Sequence, residues 1–395
     1  MVATKTKVAA IYLFMFLVVS AWARLYSPNL NQFILWGIGP LMVVFYILPN
    51  INLISSWPRE YFLYGSLILF SLLGIGNITD EPSFYRYLQV LFSNLFLMLI
   101  FYFSINTAKE WLLIWKTLWL SIIALIVYSY FMKPVDLGED VYRFSGLIEN
   151  SNGTATYARV GVLAALIQLE FKQTKWIKSL LIISIIGLSY AIIQTASRGN
   201  FANLVFIFTM YFGLKFMQGW KIMALGILGF FLGDIIYVLL ETFLGDFYIF
   251  DRLVKFDSID SAIEQETRIE LIVIAFKLMI DYPLLGIGLN QFKSYTGGLM
   301  SHTDILDIAY QLGIIAGLTY ASIYFRLAKK LIDLYNHFKK IKKISLIRIM
   351  FILLVSELIY GLSNPNWFLQ LDMIVLSLLI LFVSKLYQQL IAQSI

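Results

Sequence analysis

The chain has no cysteine, only 2 histidines and 8 prolines, and charged side chains fill just 14% of its 395 positions. Without cysteine there is no disulfide framework, no thiolate nucleophile and no Cys-ligated metal centre. The shortage of charge is more telling. An ordinary soluble domain is about 25% charged and about 45–50% apolar, whereas this chain is 60% hydrophobic with a mean hydropathy of +0.79. A soluble fold of this length would have to hide more apolar surface than its interior holds, and the same numbers exclude a disordered chain. What remains is a polytopic membrane protein. Its 32 Phe, 24 Tyr and 9 Trp suit lipid-facing walls with aromatic belts at the interfaces. The formal charge of +6 rests on only 30 basic residues, so a nucleic-acid partner is not expected and the basic residues read better as markers of the inner membrane face.

A membrane helix needs about 20 mostly apolar residues. That criterion predicts an all-α polytopic membrane protein with about twelve transmembrane helices. The predicted spans are 8–26, 33–50, 60–77, 85–105, 110–132, 153–170, 177–197, 199–214, 221–241, 305–327, 347–363 and 367–387. Nine spans fall in 1–241 and three in 305–395, with a large outer loop over 242–304 between them. With the N-terminus placed in the cytoplasm, Lys5, Lys7, Arg59, Lys172, Lys175, Lys178 and the basic stretch 326–348 all fall on the inner side, as does Lys385 near the C-terminus. Asp80, Glu81, Asp136, Glu139 and Asp140 crowd the outer side, giving the positive-inside pattern. Within the large loop, residues 264–281 set Ile269, Ile272, Ile274, Ala275, Leu278 and Met279 close to one helical face. An amphipathic helix that lies on the membrane or caps the bundle is predicted there. Pro283 ends it, and Gly286 and Gly288 allow a tight turn before Asn290.

The unusual polar residues gather on the outer side. Arg143, Arg198, Arg268 and His302 stand where a purely topological charge has no reason to be. Paired guanidinium forks suit a phosphate or diphosphate, and a neutral imidazole suits a general base near pH 7. Together they fit attack by a hydroxyl on a carbon that carries a phosphate leaving group. Each residue also has a plainer role. Arg198 in TASRGN can snorkel to the interface, Arg268 can pair with Glu264 one turn away, and His302 can cap the helix that follows it. Asp304 or Asp307 stands close enough in sequence to orient the imidazole. Arg159 lies inside a span, where an arginine needs a partner or a cavity. It serves either substrate binding or a structural pairing with, for instance, Asp234 or Glu357. Asn152 and Asn290 are further candidate substrate ligands. No metal-ligand string stands on the outer face. GIGLNQF lacks the strand–turn–helix setting of a nucleotide fingerprint, so neither a metal nor another cofactor is expected.

The ordered strings RFSGLIENSN (143–152), TASRG (195–199), TRIELIVIAFKLMIDYPLLGIGLNQF (267–292) and SHTDILDIAYQLGIIAGL (301–318) resemble the O-antigen ligase and polymerase superfamily of membrane glycosyltransferases. The likeness covers roughly 141–325. It departs from the family at Glu149-Asn150-Ser151-Asn152, where a Pro-Asn pair is common. The resemblance implies a GT-C type bundle whose active site faces the periplasm of a bacterial inner membrane, with both termini cytoplasmic. The implied donor is a glycan on undecaprenyl diphosphate. The acceptor is lipid A-core for a ligase, or a second lipid-linked glycan for a polymerase, with the ligase favoured. By the same likeness Arg198 and Arg268 hold the diphosphate, His302 takes the acceptor proton, and neither metal nor nucleotide sugar is needed. A transporter or flippase of lipid-linked glycan is the alternative of another class, kept open by Asp234, Asp307, Glu357 and Asp372.

Overall fold

The computed structural model describes residues 2–47, 57–131, 151–195, 197–216, 259–297, 303–339, 345–361, 367 and 369–394. Among these residues the chain is all helix and turn. The helices are α1 (Val2–Phe14), α2 (Ser20–Tyr26), α3 (Pro28–Gln32), α4 (Gly39–Ile47), α5 (Arg59–Leu73), α6 (Glu81–Ser104), α7 (Ala108–Phe131) and α8 (Ser151–Leu169). They continue with α9 (Lys175–Gln194), α10 (Arg198–Phe216), α11 (Ile259–Asp281), α12 (Phe292–Tyr295), α13 (Asp304–Leu312), α14 (Ile314–Lys339), α15 (Ser345–Gly361) and α16 (Gln370–Ser394).

Five helical stretches among the described residues are long and apolar enough to cross a membrane: Lys5–Ala23, Glu81–Ser104, Ala108–Phe131, Lys175–Gln194 and Gln370–Leu390. That set is consistent with a multi-pass membrane protein. It also corrects the expectation of about twelve spans. The five match predicted spans 8–26, 85–105, 110–132, 177–197 and 367–387, each shifted by a few residues. Most of the others do not meet that criterion within the described residues. α5 has 15 residues, which at 1.5 Å per residue reach only about 23 Å, short of a hydrocarbon core of about 30 Å; of the predicted span 347–363, the residues up to Gly361 are described, in α15. The predicted span 33–50 holds only a short apolar helix, Trp36–Tyr46. α8 has 19 residues but spends them on Asn152, Thr154, Thr156, Arg159 and Gln168, and α10 carries Asn200, Asn203 and Lys215. The predicted span 305–327 is broken at Gly313 into α13 and α14. The predicted span 221–241 lies outside the described residues.

The break at Gly313 is built by a second segment. Gly313 has φ 96°, a conformation that L side chains rarely adopt. A Cβ there would lie 2.1 Å from the Leu284 carbonyl oxygen. The Ile314 N–H, at the start of α14, donates to the Pro283 carbonyl (2.9 Å). The Ile287 and Gly288 N–H groups donate to the carbonyls of Tyr310 and Gln311, at 2.9 and 3.0 Å. The turn 282–291 thus takes over backbone groups that a continuous helix would have paired internally. Gly286 has φ 65°, and a Cβ there would sit 2.2 Å from the Gln311 carbonyl carbon.

Two helices form the core of the bundle. Residues 158–168 of α8 and 371–384 of α16 are buried without interruption, as expected of helices that are surrounded rather than laid on a surface. α16 packs against α6, α14, α15 and α8. Two of its carbonyls take extra donors: Tyr61 Oη donates to Ser377 (3.3 Å) and Trp111 Nε1 to Leu378 (3.1 Å). The Trp111 ring lies 4.4 Å from that of Phe382. α9 is the opposite case and exposes Trp176, Ile183 and Ile186, an apolar face suited to lipid.

Candidate functional site

The predicted outer-face residues are reached by the structure unevenly. Arg143 and His302 lie outside the described residues. Arg198 is the first residue of α10 and Arg268 lies within α11, and the description extends to their backbone alone. Asn152 sits at the start of α8 with its side chain exposed, and its carbonyl accepts from Asn200 Nδ2 (3.4 Å). Asn290 is buried at the positive φ of 58°, and its N–H donates to Gln311 Oε1.

Arg159 is fully buried. Its Nη1 donates to Glu357 Oε1 (2.9 Å) and Ser356 Oγ (3.1 Å), and its Nη2 to Asp372 Oδ1 (2.7 Å). The guanidinium carbon stands 4.3 Å from the centre of the Tyr360 ring, a cation–π contact. Of the two roles open for Arg159, structural pairing has its partners here. One is Glu357, named from the sequence, and the other is Asp372. Around the centre, Asn203 exchanges hydrogen bonds with Ser356: Nδ2 donates to its carbonyl (2.8 Å), and Oδ1 accepts from its Oγ (2.9 Å). Thr156 Oγ1 bonds the Tyr360 hydroxyl, and Asn200 Nδ2 donates to Ser197 Oγ (3.1 Å). The TASRGN turn is therefore tied to α8 through Asn200, whose Nδ2 reaches the Asn152 carbonyl. Its polar content gave a signal in the sequence, but the tie to α8 did not.

The segment after His302 is organised by Trp367, which sequence reasoning missed. The Trp367 N–H donates to Asp304 Oδ1 (2.8 Å) and its Nε1 to Asp307 Oδ2 (2.7 Å). Tyr310 Oη donates to Asp307 Oδ1. The Trp367 carbonyl accepts from Tyr64 Oη (3.3 Å), which accepts from Asn94 Nδ2 (3.1 Å). The aspartates weighed as partners of an imidazole hold the chain before α16. The signal available was their i, i+3 spacing, which puts both on one face of α13.

DYPLLGIGLNQF (281–292) is likewise a structural clasp. Gln291 Oε1 accepts from Thr79 N (2.9 Å), Thr79 Oγ1 (2.8 Å) and Asp80 N (2.7 Å), while its Nε2 donates to the carbonyls of Asp80 (3.0 Å) and Leu289 (3.1 Å). Asn77 Nδ2 donates to the Gly286 carbonyl (2.7 Å). Asp80 in turn caps α6 by accepting from Ser83 N (3.3 Å), and the hydrogen bonding from Ser83 holds its carboxyl below the usual range.

α11 departs in part from its predicted face. Leu271, Ala275 and Leu278 are buried against Ile287, Phe292 and Tyr310, and α11 packs on α13. Ile269, grouped from the sequence with Ala275 and Leu278, is exposed together with Val273, Phe276 and Ile280. The exposed side of its described part mixes these apolar residues with Glu270 and Lys277. Between α11, α13, α14 and α15 runs a groove of about 540 Å³. Ile272, Phe276, Met279, Leu306, Leu318 and Leu358 form its apolar walls, and Thr303, Asp304 and Tyr324 supply its polar groups. Thr303 Oγ1 is buried there without a hydrogen-bond partner. Leu318 and Phe276 are both lining residues and exposed apolar surface, so the groove is continuous with a face suited to lipid.

No family model matches the chain, and no curated protein matches it.

Proposed function

We propose that the chain is a membrane glycosyltransferase that moves an oligosaccharide or polysaccharide from undecaprenyl diphosphate to an acceptor hydroxyl on the periplasmic side of a bacterial inner membrane. The acceptor is lipid A-core, as for an O-antigen ligase; a second lipid-linked glycan would make the chain a polymerase. The observation that supports this reading is the groove. It is apolar along its length, continuous with exposed apolar surface, and lined at one place by Thr303, the residue that follows His302. A long isoprenoid tail needs such a wall.

The chemistry assigned to the site is a direct displacement. The acceptor hydroxyl gives its proton to His302 while its oxygen attacks the anomeric carbon, and the bond from that carbon to the diphosphate oxygen breaks. Undecaprenyl diphosphate leaves with its negative charge held by Arg198 and Arg268. One displacement inverts the anomeric configuration.

The test is a groove variant. Leu318 is exposed on the groove wall, so Leu318→Trp narrows the groove without disturbing the core. For the purified chain in vesicles, kcat/KM with a long-tailed donor is expected to fall about 10-fold, equivalent to about 1.4 kcal/mol of lost tail burial. A donor with a one-isoprene tail is expected to be unaffected. An equal loss for both donors, or no transfer by the unaltered chain to either acceptor, overturns the reading.

A further inference from the structure

The Arg159 centre carries an imbalance that the groove does not explain. One guanidinium faces two carboxylates, Glu357 and Asp372, all three at most 1% exposed. Asp372 Oδ2 and Arg159 Nε are buried without hydrogen-bond partners. The two carboxyl groups are held by the two terminal nitrogens of the same guanidinium, at 2.9 and 2.7 Å, and so stand side by side. Two carboxylates can only accept, so as ions they repel at that separation and leave Asp372 Oδ2 with no donor. A buried charge without compensation is costly, and the usual remedy is neutralisation. A proton placed between the two groups turns the repulsion into an O–H···O⁻ hydrogen bond and matches one negative charge to one guanidinium.

We propose that the junction of α8, α15 and α16 is a proton-binding site, in which one exchangeable proton is shared between Asp372 and Glu357 beside Arg159. Other ionisable groups stand close to the site. Asp304 on α13 adds a further carboxylate that acts on Asp372, while Tyr360 on α15 and Tyr324 on α14 bring neutral phenols. Arg159 on α8 is the one cation paired with Asp372 among the described residues. When the proton leaves, a second negative charge stands at the contact between the two core helices. The site therefore makes that junction sensitive to pH, whether or not the groove binds an isoprenoid.

Infrared difference spectroscopy on the full chain in vesicles tests this. At pH 7 the unaltered protein is expected to show a carboxylic-acid C=O stretch that shifts in D₂O and disappears reversibly at high pH. In Asp372→Asn and in Glu357→Gln the remaining carboxylate pairs alone with Arg159, so this band is expected to be lost from both. If the unaltered protein shows no exchangeable acid band at pH 7, the proposal fails without recourse to variants. Retention of the whole band in either variant also overturns it, because the proton then belongs to another group.

Discussion

Replacing Gly286 with alanine tests the clasp that breaks α13 from α14. A Cβ at Gly286 would meet three backbone atoms: the Gln311 carbonyl carbon at 2.2 Å, its oxygen at 2.3 Å and Leu312 N at 2.5 Å. None of these can rotate aside as a side chain would. The φ of 65° costs an alanine about 1–2 kcal/mol. Relief of the overlap must also part the turn from α13, which breaks Ile287 N–H to Tyr310 and Gly288 N–H to Gln311, a further loss of about 2 kcal/mol. The expected total is about 3–4 kcal/mol. Gly297 is a matched control: its φ is 64°, but a Cβ there meets nothing within 4 Å, so Gly297→Ala should cost only about 1–2 kcal/mol. At roughly 2 °C per kcal/mol for a chain of this size, Gly286→Ala is expected to melt about 4 °C below Gly297→Ala in the same detergent. Equal melting temperatures for the two variants would refute the clasp and leave only the backbone conformation at issue.

Three other perturbations probe the remaining joints. Gln291→Ala removes the acceptor of the Thr79 and Asp80 N–H groups and should cost about 2–4 kcal/mol, measured by denaturation. Arg159→Met leaves Glu357 and Asp372 buried without the guanidinium that bridges them, an expected loss of about 3–5 kcal/mol that appears as a lower melting temperature or failure to accumulate. The lowered pKa of Asp80 means that the unfolded chain takes up its proton first as pH falls. Its stabilisation is thus complete above the pKa of the free carboxyl and disappears as pH drops through the lower folded value. The melting-temperature gap between the unaltered chain and Asp80→Ala should follow that course.

Composition made the all-helical membrane character legible, and long uninterrupted apolar runs located α6, α7 and α9 to within a few residues. The same criterion failed where tertiary structure intervenes. The window over 305–327 is apolar throughout its middle, and nothing local reveals that Gly313 is held open by Pro283 and Leu284, about thirty residues earlier in the chain. α8 reads as a membrane span with an odd arginine because its partners Glu357 and Asp372 lie about 200 residues away. The candidate site was legible as residue types. The Arg159–Glu357 pairing was one of two roles open to that arginine, whereas Asp304 and Asp307 bind Trp367, whose importance no spacing rule exposes. On α11, Ile269 is exposed while Ala275 and Leu278 of the same predicted face are buried, because its described part carries apolar residues on two sides.

The most direct measurement is product formation by the purified chain, reconstituted with an undecaprenyl-diphosphate-linked oligosaccharide and offered lipid A-core and a second lipid-linked unit together. Glycan joined to one acceptor, with one undecaprenyl diphosphate released per transfer and with transfer abolished in correctly inserted His302→Ala, is the expected result. Transfer by His302→Ala at the unaltered rate, or movement of the lipid-linked glycan across the bilayer with no new glycosidic bond, would contradict it.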